Sequence, residues 1–331
     1  MDLVFPKQRY ACLKCGKSCG QWRIWVEPDL LPSLRQHPLA LRLEVAGQSY
    51  LQVDDSGLQR LSFDSRGRCH FLQEEHLCGL HAATGWSSKP RACRQFPFFL
   101  VETPDGIQVG LSFRCTAVQQ DHGVEWAEHQ NDLHQLVASG NYPRIGFEPA
   151  SLGSRALDWE TYKEWEADWC LQLQAGASWA DAVYARLQAY LSLLLDRASF
   201  QDLLEQSSAS AVAWLEGDPS LASALEDELP FASPRRGPVP ALAQPFRLGT
   251  GGDQAVRYFC HVLERKSLWL GGSFLGRLLL TLVAERLLCY YARSLGDLSL
   301  ALDLVEGEWL AHSEDLGPLE EALALTLLQF A

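Results

Sequence analysis

Seven of the ten cysteines in this 331-residue chain fall within its first 115 residues, and any fold of that region must account for them. Cys12, Cys15 and Cys19 lie within eight residues, beside Gly16 and Gly20. Short spacings let successive sulfurs converge on one inorganic centre, and glycine lets the backbone turn tightly without a Cβ clash. Cys69, Cys78, Cys93 and Cys115 follow at longer intervals. A disulfide framework needs an oxidising compartment. Residues 1–15 hold no apolar run of signal-peptide length, so a cytoplasmic location and thiolate ligation are expected, with redox-active thiols as the next reading. Soft thiolates suit zinc, Cu(I) or an iron–sulfur cluster and suit calcium poorly. Cys170, Cys260 and Cys289 stand singly in apolar helical sequence and read as small buried hydrophobes.

Apolar residues make up 47% of the chain and charged residues 21%, values of a folded protein rather than a disordered one. The length suggests two domains. Residues 1–118 carry 14 basic and 11 acidic side chains, a balance of +3, whereas residues 119–331 carry 14 and 30, a balance of −16. An acidic bulk repels phosphate backbones, which argues against nucleic acid as a partner. It either keeps the protein soluble or offers a face to a basic or lysine-bearing protein. The richest apolar stretch, Ser273 to Ala292, includes Arg277 and Glu285, so it reads as a buried helix and no membrane span is expected.

The pattern predicts an α+β protein: a small cysteine-rich metal-binding domain with hairpins over residues 1–118, then a mostly helical acidic domain over 119–331. Residues 50–53 and 58–63 flank the turn signal Asp54-Asp55-Ser56-Gly57, and residues 98–102 and 107–113 flank Pro104-Asp105-Gly106. The second hairpin places Cys93 and Cys115 at its open end. A helix interrupted at Pro32 and Pro38 is expected over residues 28–43. Beyond residue 120, Trp179, Val183, Leu187, Tyr190, Leu191 and Leu194 recur at steps of three and four, the mark of a buried helical stripe. Further helices are expected over 124–138, 156–174, 199–215, 253–269, 273–294, 298–311 and 318–330. A Pro-rich loop at 230–245 divides the helical part. Trp159, Trp165 and Trp169 share one predicted helix. They read as core, or as an aromatic cage for a lysine ammonium.

Four elements carry a resemblance. They are Cys12-Leu13-Lys14-Cys15-Gly16-Lys17-Ser18-Cys19, Gly67-Arg68-Cys69-His70-Phe71-Leu72, Cys78-Gly79-Leu80-His81 and Lys89-Pro90-Arg91-Ala92-Cys93-Arg94-Gln95-Phe96-Pro97. In this order they resemble the YkgJ-type cysteine-cluster family, a zinc- or iron-chelating group that includes flagellin lysine N-methylases. Ser18 replaces one of the family's paired cysteines, and Gly85-Trp86-Ser87-Ser88 lengthens the interval before Lys89. The methylase branch implies a 4Fe-4S iron–sulfur cluster and methyl transfer from S-adenosylmethionine to protein lysine. Other members imply metal binding alone.

The candidate metal ligands are Cys12, Cys15, Cys19, Cys69, Cys78, Cys93 and Cys115. Either Cys12, Cys15 and Cys19 supply most of the ligands, or Cys69, Cys78 and Cys93 do so with help from Cys115. His81 occupies a position that the family fills with Tyr or His, and His70 and His76 lie nearby. Arg91 and Arg94 flank Cys93, where guanidinium charge would offset that of the thiolates or form surface ion pairs. The usual radical-SAM triad has the reverse spacing, with Trp22 where its third cysteine would fall. Gly249-Thr250-Gly251-Gly252 and Gly271-Gly272-Ser273-Phe274-Leu275-Gly276 follow no convincing strand and read as helix breaks. The competing functions are an iron–sulfur methyltransferase, a non-catalytic zinc- or cluster-stapled interaction module, and a redox or metal-delivery protein.

Overall fold

The computed structural model describes residues 2–20, 24–54, 57–73, 77–124, 126–140, 142–192, 195–217, 253–311 and 317–328. The Pro-rich stretch 230–245, the glycines at 249–252, Trp22, His76 and Leu194 lie outside these residues.

The N-terminal third is built from short elements. Strand β1 (Leu3–Val4) precedes the first cysteine loop. Helices α1 (Leu31–Arg35) and α2 (Pro38–Val45) are separated at Pro38, as expected, and His37 caps α2 by accepting the Leu39 N–H at 3.2 Å. Pro32 does not interrupt a helix: it sits in the first turn of α1, where the missing N–H has no partner to lose. Strands β2 (Leu51–Val53) and β3 (Gln59–Leu61) form the first hairpin, closed by Asp54, whose carboxylate accepts the Leu58 N–H. Val26, Leu34, Ala40, Tyr50, Leu61, Phe71 and Leu80 make a small core beneath these elements, with Cys69 and Cys78 at its edge. Helices α3 (Gly79–Thr84) and α4 (Arg91–Gln95) follow.

The second hairpin joins β4 (Phe98–Thr103) to β5 (Gly106–Leu111) in antiparallel register, Phe98 opposite Leu111. β1 pairs in parallel with the other edge of β5, a strand that the sequence pattern does not announce. Gly106 permits that approach, because a Cβ there would stand 2.6 Å from the Asp2 carbonyl oxygen. Short α5 (Thr116–Gln119) and α6 (Gln130–Ala138) come next.

A third hairpin, β6 (Ala150–Leu152) with β7 (Arg155–Leu157), occupies the start of the helix predicted from residue 156. The helix instead begins at Trp159, because Asp158 caps it by accepting the Thr161 N–H at 2.8 Å. Helices α7 (Trp159–Gln174), α8 (Trp179–Leu191), α9 (Arg197–Gly217), α10 (Asp253–Glu264), α11 (Phe274–Leu295), α12 (Leu298–Val305) and α13 (Gly317–Leu328) complete the described chain. The helix predicted over 253–269 stops at Glu264, since Lys266 adopts φ +65° and a 3-10 turn follows at Ser267–Trp269. α12 passes into a π-helical segment, Glu306–Ala311.

α11 is the central helix, in contact with α8, α9, α12 and α13. Two of its charged groups find partners inside the molecule: Arg277 pairs with Glu320 at 2.6 Å, and Glu285 accepts the Trp179 N–H at 3.1 Å. Among the described residues no helix is long and apolar enough to cross a membrane. The larger apolar cluster combines hairpin residues Leu100, Ile107, Val109 and Leu111 with the helices. Buried polar contacts seal the same junction. His261 Nε2 accepts the Leu111 N–H at 2.7 Å, and Arg265 binds both carboxylate oxygens of Glu306, at 2.5 and 2.8 Å.

Trp159, Trp165 and Trp169 are core residues, packed edge to face in pairs that include Trp169–Trp179 at 5.2 Å. The ammonium that Trp159 does meet is the chain's own Lys266, 5.6 Å from its ring and from that of Tyr162 and bound to Glu166 at 2.5 Å. Cys260 and Cys289 are buried. Cys170 is half-buried, and its contact with the Cys260 thiol, then burial, holds it protonated.

Candidate metal centre

Four separate segments bring the N-terminal thiols together. The backbone turns sharply at Lys14 (φ +53°) and Gly16 (φ +70°), and the first turn directs the Lys14 N–H at Cys12 Sγ, 3.3 Å away. Cys19 then lies on a 3-10 turn, and its carbonyl oxygen accepts the Cys69 N–H at 2.7 Å. Gly20 makes this approach possible, because a Cβ would stand 2.9 Å from the Gly67 carbonyl oxygen. A β-bridge between Leu72 and Cys78 closes the next loop and leaves Cys78 at the N-terminus of α3. Cys93 projects from α4, and Cys115 stands at the N-terminus of α5.

The electrostatics separate the seven thiols into two neighbouring groups. Burial first, then Cys78 and Cys12, push the Cys19 thiol up to about 11. Burial, with Cys19 and Cys78 adding to it, pushes Cys69 up to about 12. Cys93 is raised further still by burial and by Cys69, Cys78 and Cys19. Cys115 is pushed up to about 11, by burial and then by Cys12 and Cys15. One group is therefore Cys19, Cys69, Cys78 and Cys93. The other is Cys12, Cys15 and Cys115, joined to the first through Cys12. The thiols acting on each sulfur cross the sets drawn from sequence: Cys78 and Cys12 act on Cys19, and Cys12 and Cys15 act on Cys115. Cys93 and Cys115 do flank the open end of the β4–β5 hairpin, but the thiols acting on each differ.

Four of the sulfurs also face donors suited to a thiolate. The amides of Phe71 and Leu72 face Cys69, and those of Ala117 and Val118 face Cys115. The Ser18 hydroxyl, at the position of the family's missing cysteine, donates to Cys19. Tyr10 hydrogen-bonds Cys12, and burial together with the neighbouring thiols holds its phenol protonated. Lys89 is the cation that lowers the cost of charge on Cys19 and Cys93. Beside Cys93, the Arg91 backbone amide donates to Glu27 at 2.8 Å, and the Arg94 guanidinium lies 5.3 Å from the Trp86 ring centre. Half-buried His70 lies next to Cys69, while His81 is exposed on α3.

Tyr10 and Lys89 were not among the residues singled out from sequence. Tyr10 precedes Cys12 by two positions in extended chain, a spacing that puts both side chains on one side. Lys89 begins the element that carries Cys93. Both signals were available.

The donor set fits a soft metal centre. All ten cysteines are free thiols, and Cys19, Cys69, Cys93 and Cys115 lie in desolvated surroundings where the neighbouring thiols oppose their ionisation. Bound cationic charge would remove that opposition. Among the described residues no three His, Cys, Asp or Glu side chains stand close enough to share a single ion.

Residues 11–129 match the family model CxxCxxCC, described as "Putative zinc- or iron-chelating domain". No curated protein and no solved structure matches the chain. The family description agrees with the chemistry of the donor set and supports metal binding by this segment. The matched stretch is the one that holds the four cysteine-bearing sequence elements.

Proposed function

We propose that the cysteine centre holds an iron–sulfur cluster, with Cys19, Cys69, Cys78 and Cys93 as its primary ligands. The observation that carries this reading is the convergence of four thiols from three chain segments, tied by the Cys69–Cys19 backbone hydrogen bond. Four cysteinyl ligands are the usual complement of a 4Fe-4S cluster. A lone zinc ion would draw its sulfurs within about 4 Å of one another, given Zn–S bonds of about 2.3 Å. The mutual action of Cys19, Cys69, Cys78 and Cys93 supplies the four neighbouring thiols that an iron–sulfur cluster needs. Cys12, Cys15 and Cys115 stand beside that centre with Tyr10. Thiolate ligands require reduced cysteines, in keeping with a cytoplasmic location.

In this reading the division near residue 118 is one of task, with metal held by the first part and a partner met by the acidic helices. Methyl transfer from S-adenosylmethionine to a lysine-bearing protein rests on the family resemblance alone. Labelled S-adenosylmethionine and candidate basic proteins, added to anaerobically reconstituted enzyme, test it directly.

Iron and acid-labile sulfide analysis of protein purified without oxygen tests the cluster. The expected result is a brown protein with broad visible absorbance, lost in Cys69→Ser and kept in Cys289→Ser. A colourless protein with stoichiometric zinc would replace this reading with the zinc-stapled module. A protein that takes up neither metal would overturn both.

A further inference from the structure

The loop that supplies Cys12, Cys15 and Cys19 has little apolar anchorage of its own: Cys12, Leu13 and Cys15 are all exposed. It is instead tied to the far end of the chain. The Lys17 ammonium forms an ion pair with Asp303 on α12. Asp303 is only 5% exposed, and its other carboxylate oxygen accepts a hydrogen bond from Gln119 Nε2 at 2.9 Å. The same amide nitrogen donates to the Phe113 carbonyl at 2.7 Å. Gln119 is the last residue of α5, the helix that Cys115 opens. One buried carboxylate therefore grips both segments of the Cys12–Cys15–Cys115 group. Arg114, beside Cys115, is pressed against the same region: a Cβ at Gly307 would stand 2.7 Å from its guanidinium.

We infer that Asp303 is a positioning residue for the metal centre. By holding Lys17 and Gln119 together it fixes the Cys12–Cys19 loop against Cys115, so metal affinity at the N-terminal thiols depends on the packing of a C-terminal helix. The inference rests on the metal-binding reading above. Linkage makes the dependence reciprocal: metal at the cysteines tightens α12 to the same degree that α12 tightens the metal. Outer contacts of this kind govern ligand orientation, and losing one typically costs about ten- to a hundredfold in affinity.

The test uses the full chain under anaerobic conditions with cobalt(II) as the probe, because its absorbance reports the number of thiolate ligands. Lys17→Gln and Asp303→Asn should each weaken cobalt binding by about tenfold or more and reduce the thiolate charge-transfer intensity. Lys17→Gln changes a side chain less buried than Asp303, so it reads the contact even if Asp303→Asn fails to fold. Cobalt should slow hydrogen exchange across residues 298–305 in the wild type and not in Lys17→Gln. Wild-type affinity and an unchanged spectrum in Lys17→Gln would overturn the inference while leaving the metal centre standing. A wild-type protein that binds no cobalt would instead remove the metal-binding reading, and this inference with it.

Discussion

Glu285 shows how one buried group sets a pH dependence. It is 3% exposed, accepts the Trp179 amide, and is pushed up to about 7 by burial. In the unfolded chain its pKa is near 4.5. Below that value both states are protonated and the group costs nothing. Between the two values the unfolded state releases its proton first, so stability falls as pH rises, by about 3 kcal/mol in all. Above the folded value the penalty is constant. Urea unfolding of wild type and Glu285→Gln from pH 4 to 8 should show the variant gaining relative stability across this window. A parallel pair of curves would refute the assignment. Sequence alone identified Glu285 as a sign of burial within an apolar helix, but not its partner, because Trp179 lies 106 residues away. The same limit applies to the cysteines. Their residue type and spacing disclosed a soft metal centre, whereas their grouping depended on which backbone turns face each other.

Among the elements, the extended segment at Tyr10 depends on one glycine. Gly123 adopts φ +134°, and a Cβ there would stand 2.1 Å from the Tyr10 and Ala11 backbone. Tyr10 pairs with Val124 in a β-bridge, and the Ala11 amide donates to His122. Gly123→Ala should push this segment away, separate Cys12 from Cys115, and destabilise the protein by about 2 kcal/mol. Denaturant melts would report the stability loss, and metal analysis the accompanying fall in occupancy. Hairpins and helices were readable where local chemistry decides them: the Pro104-Asp105-Gly106 turn and the stripe on α8. The misread boundaries have local causes as well, in the Asp158 cap and the left-handed Lys266. β1 was invisible because two residues paired across more than a hundred positions leave no periodic trace.

For the molecule as a whole, the junction of hairpin and helices depends on the buried Arg265–Glu306 pair. Glu306 also accepts from the Tyr258 hydroxyl at 3.1 Å and the Phe113 amide at 3.3 Å. Removing it strands a guanidinium that is 3% exposed. Glu306→Ala should therefore cost about 4 kcal/mol, read from urea unfolding midpoints. The double change Arg265→Met with Glu306→Leu should recover most of that loss, since the stranded charge is gone. The change of sequence pattern near residue 118 was plain to read. The apolar cluster running across it was not, because strand residues such as Val109 and helical residues such as Tyr258 obey different periods.

Trp86 has a practical consequence. Its indole lies under Arg94, the residue after Cys93. An inorganic chromophore seated there would drain its excited state, so ultraviolet emission should dim on iron loading and stay bright with zinc, and Trp86→Phe should blunt the response. The protein would carry a built-in optical gauge of what fills it.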